Sequence, residues 1–337
     1  MTGDLKLGLM LGYWGAQPED HLDLVLEAER LGLDSVWTAE AYGSDAISPL
    51  CWLGARTKRI TLATGLCQLS GRTPANMAMT AATIDHLSGG RFLLGLGVSG
   101  PQVVEGWYGQ PFPKPLARTR EYVEILRSIW AREAPVTSDG NHYPLPYPGG
   151  TRLGKPLKIT THPLRPRIPI YLGAEGPKNV ALAAEIGDGW LPIFYSPEHS
   201  PAIYAEALAD APPGFDIACP VTVVVHDSVE EARSIVKWSL AFYIGGMGAK
   251  DMNFHLNVVG RMGFGEQAAV VQELFLDGRR EDAMRAVPDE LADGIALCGP
   301  PGRIKEHLAR WVDSPVTHLL AGTRDPRALA VLAEALA

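Results

Sequence analysis

The chain has 337 residues, of which 46% are hydrophobic and 20% charged, as is usual for a globular protein with a large core. Its formal net charge of -8 argues against sequence-independent binding to nucleic acid or to an anionic membrane, because both depend on an excess of Lys and Arg. We therefore expect a small-molecule partner.

The cysteines and the first residues predict the location of the protein. Cys51, Cys67, Cys219 and Cys298 are too few and too scattered for a disulfide framework or a C-x-x-C site, which favours a reducing cytoplasm. The segment MTGDLKLGLM lacks the basic and apolar regions of a secretion signal, and no apolar run approaches the roughly 18 residues of a membrane span. We expect a cytoplasmic protein.

Short β-type runs alternate with amphipathic helical runs from the start of the chain, which is typical of a parallel sheet. The first helix follows Pro18 and ends at Gly32, residues suited to a helix start and a helix end. Eight strands are predicted, over residues 5–11, 34–39, 60–66, 91–97, 168–173, 189–193, 217–225 and 317–321. Eight βα units close most naturally into a barrel, so we expect one (β/α)8 TIM-barrel domain over residues 1–337.

Two stretches interrupt this rhythm. Residues 133–167 are rich in Pro and Gly, which predicts an irregular insertion over one end of the barrel. Residues 228–313 are mainly helical and predict extra helices. Basic residues of the insertion are either solvated or available to neutralise an anionic ligand tail. They are Arg152, Lys155, Lys158, His162, Arg165 and Arg167.

The functional site of a closed parallel barrel lies at the carboxyl ends of its strands. Glu40 follows the second strand in SVWTAEAYG and is a candidate for proton transfer. Aromatic residues near strand ends are candidate substrate walls: Tyr13, Trp14, Tyr42, Trp107 and Phe194. The histidines show no metal-ligand spacing, so no catalytic metal is expected.

Two glycine-rich turns have features of known phosphate-binding patterns. GLGVSG, residues 95–100, formally matches a dinucleotide fingerprint, but Pro101 follows at once and the match is weak. In GAEGPKNV, residues 173–180, backbone N–H groups at a helix start converge with Lys178, which suits a phosphate. An ordinary helix start with a solvated lysine explains the second turn equally well.

Five segments together resemble the luciferase-like family of flavin and deazaflavin oxidoreductases, which are (β/α)8 barrels. They are LGLDSVWTAE, IDHLSGGRFLLGLGVSG, GWYGQPFPKPLARTREYVEILR, PIYLGAEGPKNVALAAEIGDGWLP and VPDELADGIALCGPPGRIKEHL. The third segment is most similar to the branch that uses the deazaflavin coenzyme F420. The resemblance implies an F420-dependent oxidoreductase that transfers a hydride between the coenzyme and a small organic substrate.

The resemblance also implies a coenzyme site. A cis peptide between Gly65 and Leu66 is expected behind the deazaflavin ring. The turn that follows the strand predicted over residues 168–173 is expected to bind phosphate. The predicted coenzyme-binding residues are Gly12, Glu40, Gly65, Leu66, Val98, Ser99, Gly100, Gln102, Ala174, Glu175, Gly176, Lys178 and Asn179. Relatives often have His after the acid of the second strand, where this chain has Ala41, so Glu40 is the predicted catalytic residue. It could instead hydrogen-bond the coenzyme or orient backbone.

Three other functions stay open. An FMN-dependent monooxygenase would use the same barrel with a different coenzyme. A barrel hydrolase would use Glu40 and Glu175 as its acid and base, and a coenzyme carrier would bind without turnover. A homodimer is common in the resembling family and is expected here.

Overall fold

Parallel strands form a closed barrel in the computed structural model, which describes residues 5–247 and 253–337. Eight of them make the barrel wall. The ring is closed because the strand at His318–Gly322 pairs with the first strand, Lys6–Gly12, on one side and with Asp216–Val225 on the other. The wall strands are β1 (Lys6–Gly12), β2 (Ser35–Thr38), β3 (Thr61–Thr64), β5 (Phe92–Gly97), β6 (Ile170–Gly173), β7 (Gly189–Leu191), β8 (Asp216–Val225) and β10 (His318–Gly322). The predicted TIM barrel is confirmed.

Two short strands lie outside the predicted set. β4 (Cys67–Gln68) pairs with β5, and it begins after β3 has been interrupted at Gly65–Leu66. The third strand, predicted over residues 60–66, is therefore present but ends at Thr64. β9 (Ala296–Gly299) pairs with the carboxyl-terminal half of β8. Only four residues long and flanked by helices, it carries too short a pattern to be distinguished from a helix in the sequence.

Fourteen α-helices occur in the described residues. They are α1 (Leu22–Arg30), α2 (Ile47–Gly54), α3 (Pro74–Leu87), α4 (Pro101–Gly106), α5 (Pro115–Ala131), α6 (Pro177–Ile186), α7 (Ser200–Tyr204), α8 (Val229–Gly246), α9 (Phe254–Val259), α10 (Gly265–Leu276), α11 (Arg280–Ala286), α12 (Asp289–Ile295), α13 (Pro301–Val312) and α14 (Pro326–Leu336). A 3-10 turn covers Leu69–Gly71, and a π-helical turn covers Gly260–Phe264. Within these described ranges, no helix is both long and apolar enough to span a membrane.

Successive side chains of the strands point alternately into and out of the barrel. In β2, Val36 packs outward against the helices, whereas Trp37 fills the interior. Trp37 lies 5.8 Å from the ring of Tyr171 on β6, and both are buried. The amino-terminal part of the barrel is therefore a packed core, which leaves the carboxyl end for ligands.

The extra helices form a second hydrophobic core. Buried residues of α8, α10 and α12 pack together there, including Ile244, Val271 and Leu291. This agrees with the extra helices expected over residues 228–313. The end of α8 and the start of α9 reach the carboxyl end of the barrel, where His255 of α9 meets Phe194.

The proline-rich insertion lies along α5, because the carboxylate of Glu121 on that helix accepts hydrogen bonds from the backbone of His142 and Tyr143. Three of its basic side chains form ion pairs or hydrogen bonds with other parts of the chain. Arg165 pairs with Asp85 of α3 at 2.7 Å, and Arg167 pairs at 2.5 Å with Asp188, which lies between α6 and β7. Lys158 likewise donates to the backbone oxygen of Glu133. These contacts favour a structural role for Lys158, Arg165 and Arg167 over neutralisation of a ligand tail.

A buried histidine closes the amino-terminal end of the barrel. His318 Nε2 lies 2.9 Å from Oγ of Ser35, which also accepts a hydrogen bond from the indole of Trp37. Burial lowers the pKa of His318 from its usual 6.5 to about 4. The unfolded chain therefore binds a proton below pH 6.5 that the folded chain binds only near pH 4.

We expect this histidine to make the protein less stable in mild acid. Between pH 6.5 and 4 the free energy of unfolding should fall by about 3 kcal/mol because of His318 alone. Urea unfolding at a series of pH values would measure this, with His318→Gln as the non-titrating variant. Equal pH dependence of the two proteins between pH 6.5 and 4.5 would contradict the assignment.

Candidate active site

Glu40 is held by a buried ion pair at the end of β2. Its carboxylate accepts hydrogen bonds from Arg72 at 2.8 and 2.9 Å, from the backbone of Gln68 at 2.8 Å and from the backbone of Ala46 at 3.2 Å. Its side chain is only 3% exposed. Its own backbone N–H donates to the oxygen of Leu66. Glu40 therefore connects β2 to the segment between β3 and β4.

That segment carries the expected cis peptide between Gly65 and Leu66. The side chain of Leu66 packs against the inner core of the barrel. It lies directly over two strand-end glycines, since a Cβ atom placed on Gly97 or Gly173 would come within 2.6 or 2.3 Å of its Cδ2. The three residues therefore form a platform, here called the Leu66 platform, at the carboxyl end of the barrel.

The turn after β5 brings four predicted residues together. Ser99 has a positive φ of 60°, which is uncommon outside glycine, and Gly100 begins α4 without a side-chain cap. The amide oxygen of Gln102 lies over Gly100, where an added Cβ would come within 3.2 Å of it. Val98 and Ser99 are half-buried, whereas Gln102 is exposed. A ligand above the Leu66 platform can contact this turn.

The turn from Ala174 to Gly176 leads directly into α6. This helix has Pro177 in its first turn and no side-chain cap, so no side chain satisfies its first N–H groups. A Cβ on Gly176 would meet no atom within 4 Å, and Lys178 is exposed beside it. Pro177 has no N–H, and the N–H groups of Asn179 and Val180 donate to the backbone oxygen of Gly176. The open space, the positive end of the helix dipole and Lys178 are the features that suit a phosphate. Asn179 is half-buried in the same turn of helix.

Glu175 projects from this turn towards the extra helices. Its Oε1 lies 3.2 Å from Nδ1 of His255, within ion-pair distance but outside hydrogen-bond geometry. Its backbone oxygen accepts hydrogen bonds from Tyr204 at 2.8 Å and from Arg261 at 2.7 Å. Among the described residues, Oε2 of Glu175, Nδ1 of His255 and Nε of Arg261 are buried without a hydrogen-bond partner.

Three of the five predicted wall residues lie near this pair. The ring of Phe194 lies edge-on to Tyr243 at 5.4 Å and to His255 at 5.9 Å. Burial, together with the nearby Tyr13, Tyr42 and Glu175, raises the pKa of Tyr243 to about 12. These aromatic rings therefore form one wall at the mouth of the barrel.

The other two predicted wall residues lie apart from that wall. Trp14 lines a groove of about 540 Å³ with Gly12, Pro18, His21 and Trp52. Trp107 ends α4 and is 66% exposed. Neither has a recorded ring contact with Phe194 or Tyr243 in the described part of the chain.

Sequence reasoning missed four residues of the site. Arg72 follows the end of β4, so its basic side chain just after a strand was an available signal. Tyr243, His255 and Arg261 lie in the extra helices. These helices do not follow the βα repeat, so the sequence does not indicate which of their residues lie near the strand ends. Within residues 5–247 and 253–337, no group of three or more His, Cys, Asp or Glu could hold a metal ion.

The profile of the family described as luciferase-like monooxygenase matches residues 6–318. The chain belongs to this family. It is 54% identical over 332 residues to a Mycobacterium tuberculosis protein provisionally named a coenzyme F420-dependent oxidoreductase, with 95% of each chain covered. It is 31% identical to the 5,10-methylenetetrahydromethanopterin reductase of Archaeoglobus fulgidus, covering 88% of this chain and 87% of the reductase.

Solved structures confirm the fold. The coenzyme F420-dependent tetrahydromethanopterin reductase of Methanopyrus kandleri superposes with a TM-score of 0.76 at 22% identity, with 98% of each chain covered. At this identity the likeness concerns the fold alone. The luciferase-like barrel expected from the sequence is therefore confirmed, and the closed barrel excludes a doubly wound dinucleotide fold at residues 95–100.

We expect Gly173→Ala to weaken binding of the oxidised deazaflavin coenzyme F420 about tenfold or more. The new Cβ would push Leu66 off its platform by direct contact. Coenzyme fluorescence would measure the dissociation constant. Gly302→Ala is a matched control, because a Cβ on Gly302 of α13 meets no atom within 4 Å. Unchanged affinity in Gly173→Ala would show that the platform does not face the coenzyme.

Proposed function

We propose that the protein is a coenzyme F420-dependent oxidoreductase of the luciferase-like family that acts on a small organic substrate. One observation carries this proposal: a relative 54% identical over 95% of both chains bears that description. The site fits the coenzyme, since a half-buried platform and an uncapped helix start with open space above Gly176 lie at the same end of the barrel.

The residues divide the work of binding. The Leu66 platform supports the ring, the Val98–Gln102 turn lies along its side, and the start of α6 with Lys178 holds the phosphate. Gly12, with a positive φ of 69° and no atom within 4 Å of an added Cβ, leaves open space at the end of β1. The bound coenzyme would supply a carbon that accepts or gives a hydride. The protein supplies contact between the reactants and exclusion of water.

Glu40 remains a candidate for proton transfer, but its contacts favour an orienting role. Both of its oxygens are occupied by donors, and two of these donors are backbone N–H groups. A carboxylate paired in this way is costly to disturb when buried. We infer that Glu40 chiefly fixes the segment of Gly65 and Leu66 against β2.

Glu40→Gln separates the two roles. If Glu40 orients the segment, the variant should unfold at lower urea concentration and bind F420 less tightly, because Arg72 loses its buried partner. If Glu40 transfers a proton, coenzyme binding should persist while turnover falls about 100-fold. Glu27→Gln is the charge-matched control, because it changes a carboxylate on the surface of α1 that pairs with Arg30 of the same helix.

Coenzyme choice between F420 and FMN is decided by titration. The purified protein is titrated with each coenzyme, and absorbance or fluorescence is followed. We expect F420 to bind at least tenfold more tightly than FMN. The reverse order would assign the protein to FMN-dependent monooxygenases. Binding of neither coenzyme would favour a hydrolase that uses Glu40 and Glu175 as its acid and base. Binding of F420 without turnover across a substrate panel would indicate a coenzyme carrier.

We also propose a single barrel domain, a reducing cytoplasmic location and a homodimer. Three of the four free cysteines are buried, and burial raises the thiol pKa of Cys67 and Cys219, which suits a chain that keeps its thiols reduced. Exposed apolar side chains on α2 and α3, Trp52 and Met79, offer surface for a second copy. Small-angle scattering would measure the mass in solution.

A further inference from the structure

Glu175 and His255, at the mouth of the barrel, can accept one more hydrogen-bond partner. Glu175 has one oxygen near His255 and the other buried without a partner within the described ranges. Leaving a buried acceptor without a hydrogen bond is unfavourable, so a ligand that donates a hydrogen bond there would be stabilised.

The surroundings fix this pair in place. The backbone oxygen of Glu175 is tied to Tyr204 and Arg261, which holds the turn while leaving the carboxylate free. The imidazole of His255 lies edge-on to Tyr243 at 5.1 Å and to Phe194 at 5.9 Å. An acid–histidine pair thus lies against an aromatic wall, beside the turn proposed to bind the coenzyme phosphate.

Three other residues at strand ends are poorly suited to exchange a proton. Ala41 has no titratable group, the amide of Gln102 is neutral, and Glu40 is occupied by Arg72 and two backbone N–H groups. A hydride transfer to or from a carbon–oxygen bond requires a proton at the oxygen. The Glu175–His255 pair combines an acid, a base and, within the described residues, an unfilled hydrogen-bond position.

We propose that Glu175 and His255 bind the hydroxyl or carbonyl oxygen of an apolar substrate and exchange its proton during hydride transfer. This inference rests on the proposed function. In the oxidising direction, the alcohol loses its O–H proton to the pair and its carbinol hydrogen, as hydride with two electrons, to the oxidised deazaflavin. A C=O bond forms, the pair releases its proton to solvent, and the reduced coenzyme takes up one proton from solvent.

Three probes of similar shape test the binding step. The coenzyme-loaded protein is titrated with 1-phenylethanol, acetophenone and ethylbenzene, and binding is followed by ligand-observed NMR. We expect the alcohol to bind about tenfold more tightly than ethylbenzene, because the alcohol gains one charge-assisted hydrogen bond to the pair. His255→Gln and Glu175→Gln should abolish this preference, while ethylbenzene binding stays within about twofold.

The proton step has its own measurement. Oxidation of 1-phenylethanol is followed by loss of the coenzyme's visible absorbance, and His255→Gln should lower kcat about 100-fold with a smaller change in KM. His86→Gln and Glu198→Gln change exposed residues and serve as matched controls. His255→Asn is the second variant if thermal unfolding shows that His255→Gln is not folded.

The outcomes separate the two proposals. If F420 binds but the alcohol has no advantage over ethylbenzene, or if His255→Gln matches the natural chain in both binding and kcat, the assignment of this pair is wrong and the proposed function stands. If F420 itself does not bind, the proposed function fails and this inference fails with it.

Discussion

The buried ion pair between Glu40 and Arg72 is the constraint on which the geometry of the site depends. It joins the end of β2 to the residues after β3, because the same carboxylate that Arg72 neutralises also accepts the backbone N–H of Gln68. Removing either partner of such a pair leaves a buried charge uncompensated, at a typical loss of 3–5 kcal/mol. The position of Leu66, and through it the surface over Gly97 and Gly173, follows from this connection.

Two carboxylates at strand ends are treated differently by the fold. Glu40 is fully engaged and 3% exposed, whereas Glu175 is 23% exposed and keeps one oxygen without a partner among the described residues. A satisfied carboxylate stabilises local structure, while a partly satisfied one beside a histidine is available to a ligand. The environment, and not the residue type, therefore decides which acid is suited to chemistry.

Much of the fold could be predicted because barrel strands repeat one pattern. All eight wall strands were anticipated, including β10, whose pairing with β1 closes the ring. Glu40 was found because a charged residue directly after a buried strand is conspicuous. Its partner Arg72 was missed because the 3-10 turn Leu69–Gly71, which places it under the carboxylate, leaves no periodic signal. The orientation of the insertion was missed for a related reason, since Arg165 is bonded to Asp85 across 80 residues.

The wall contributed by α8 and α9 depends on tertiary packing that no local pattern encodes. Tyr243 lies in the last turns of α8, and that helix is held by Ile244 and its neighbours in the second core. The position of His255 against Phe194 therefore depends on how the second core packs on the barrel, as well as on residues at the strand ends. Changes within the second core can then reshape the aromatic wall while the Leu66 platform, fixed by β2, β5 and β6, stays in place. One half of the site is thus set by the barrel and the other by the added helices. This arrangement allows contacts with the proposed substrate to change without loss of the proposed coenzyme site.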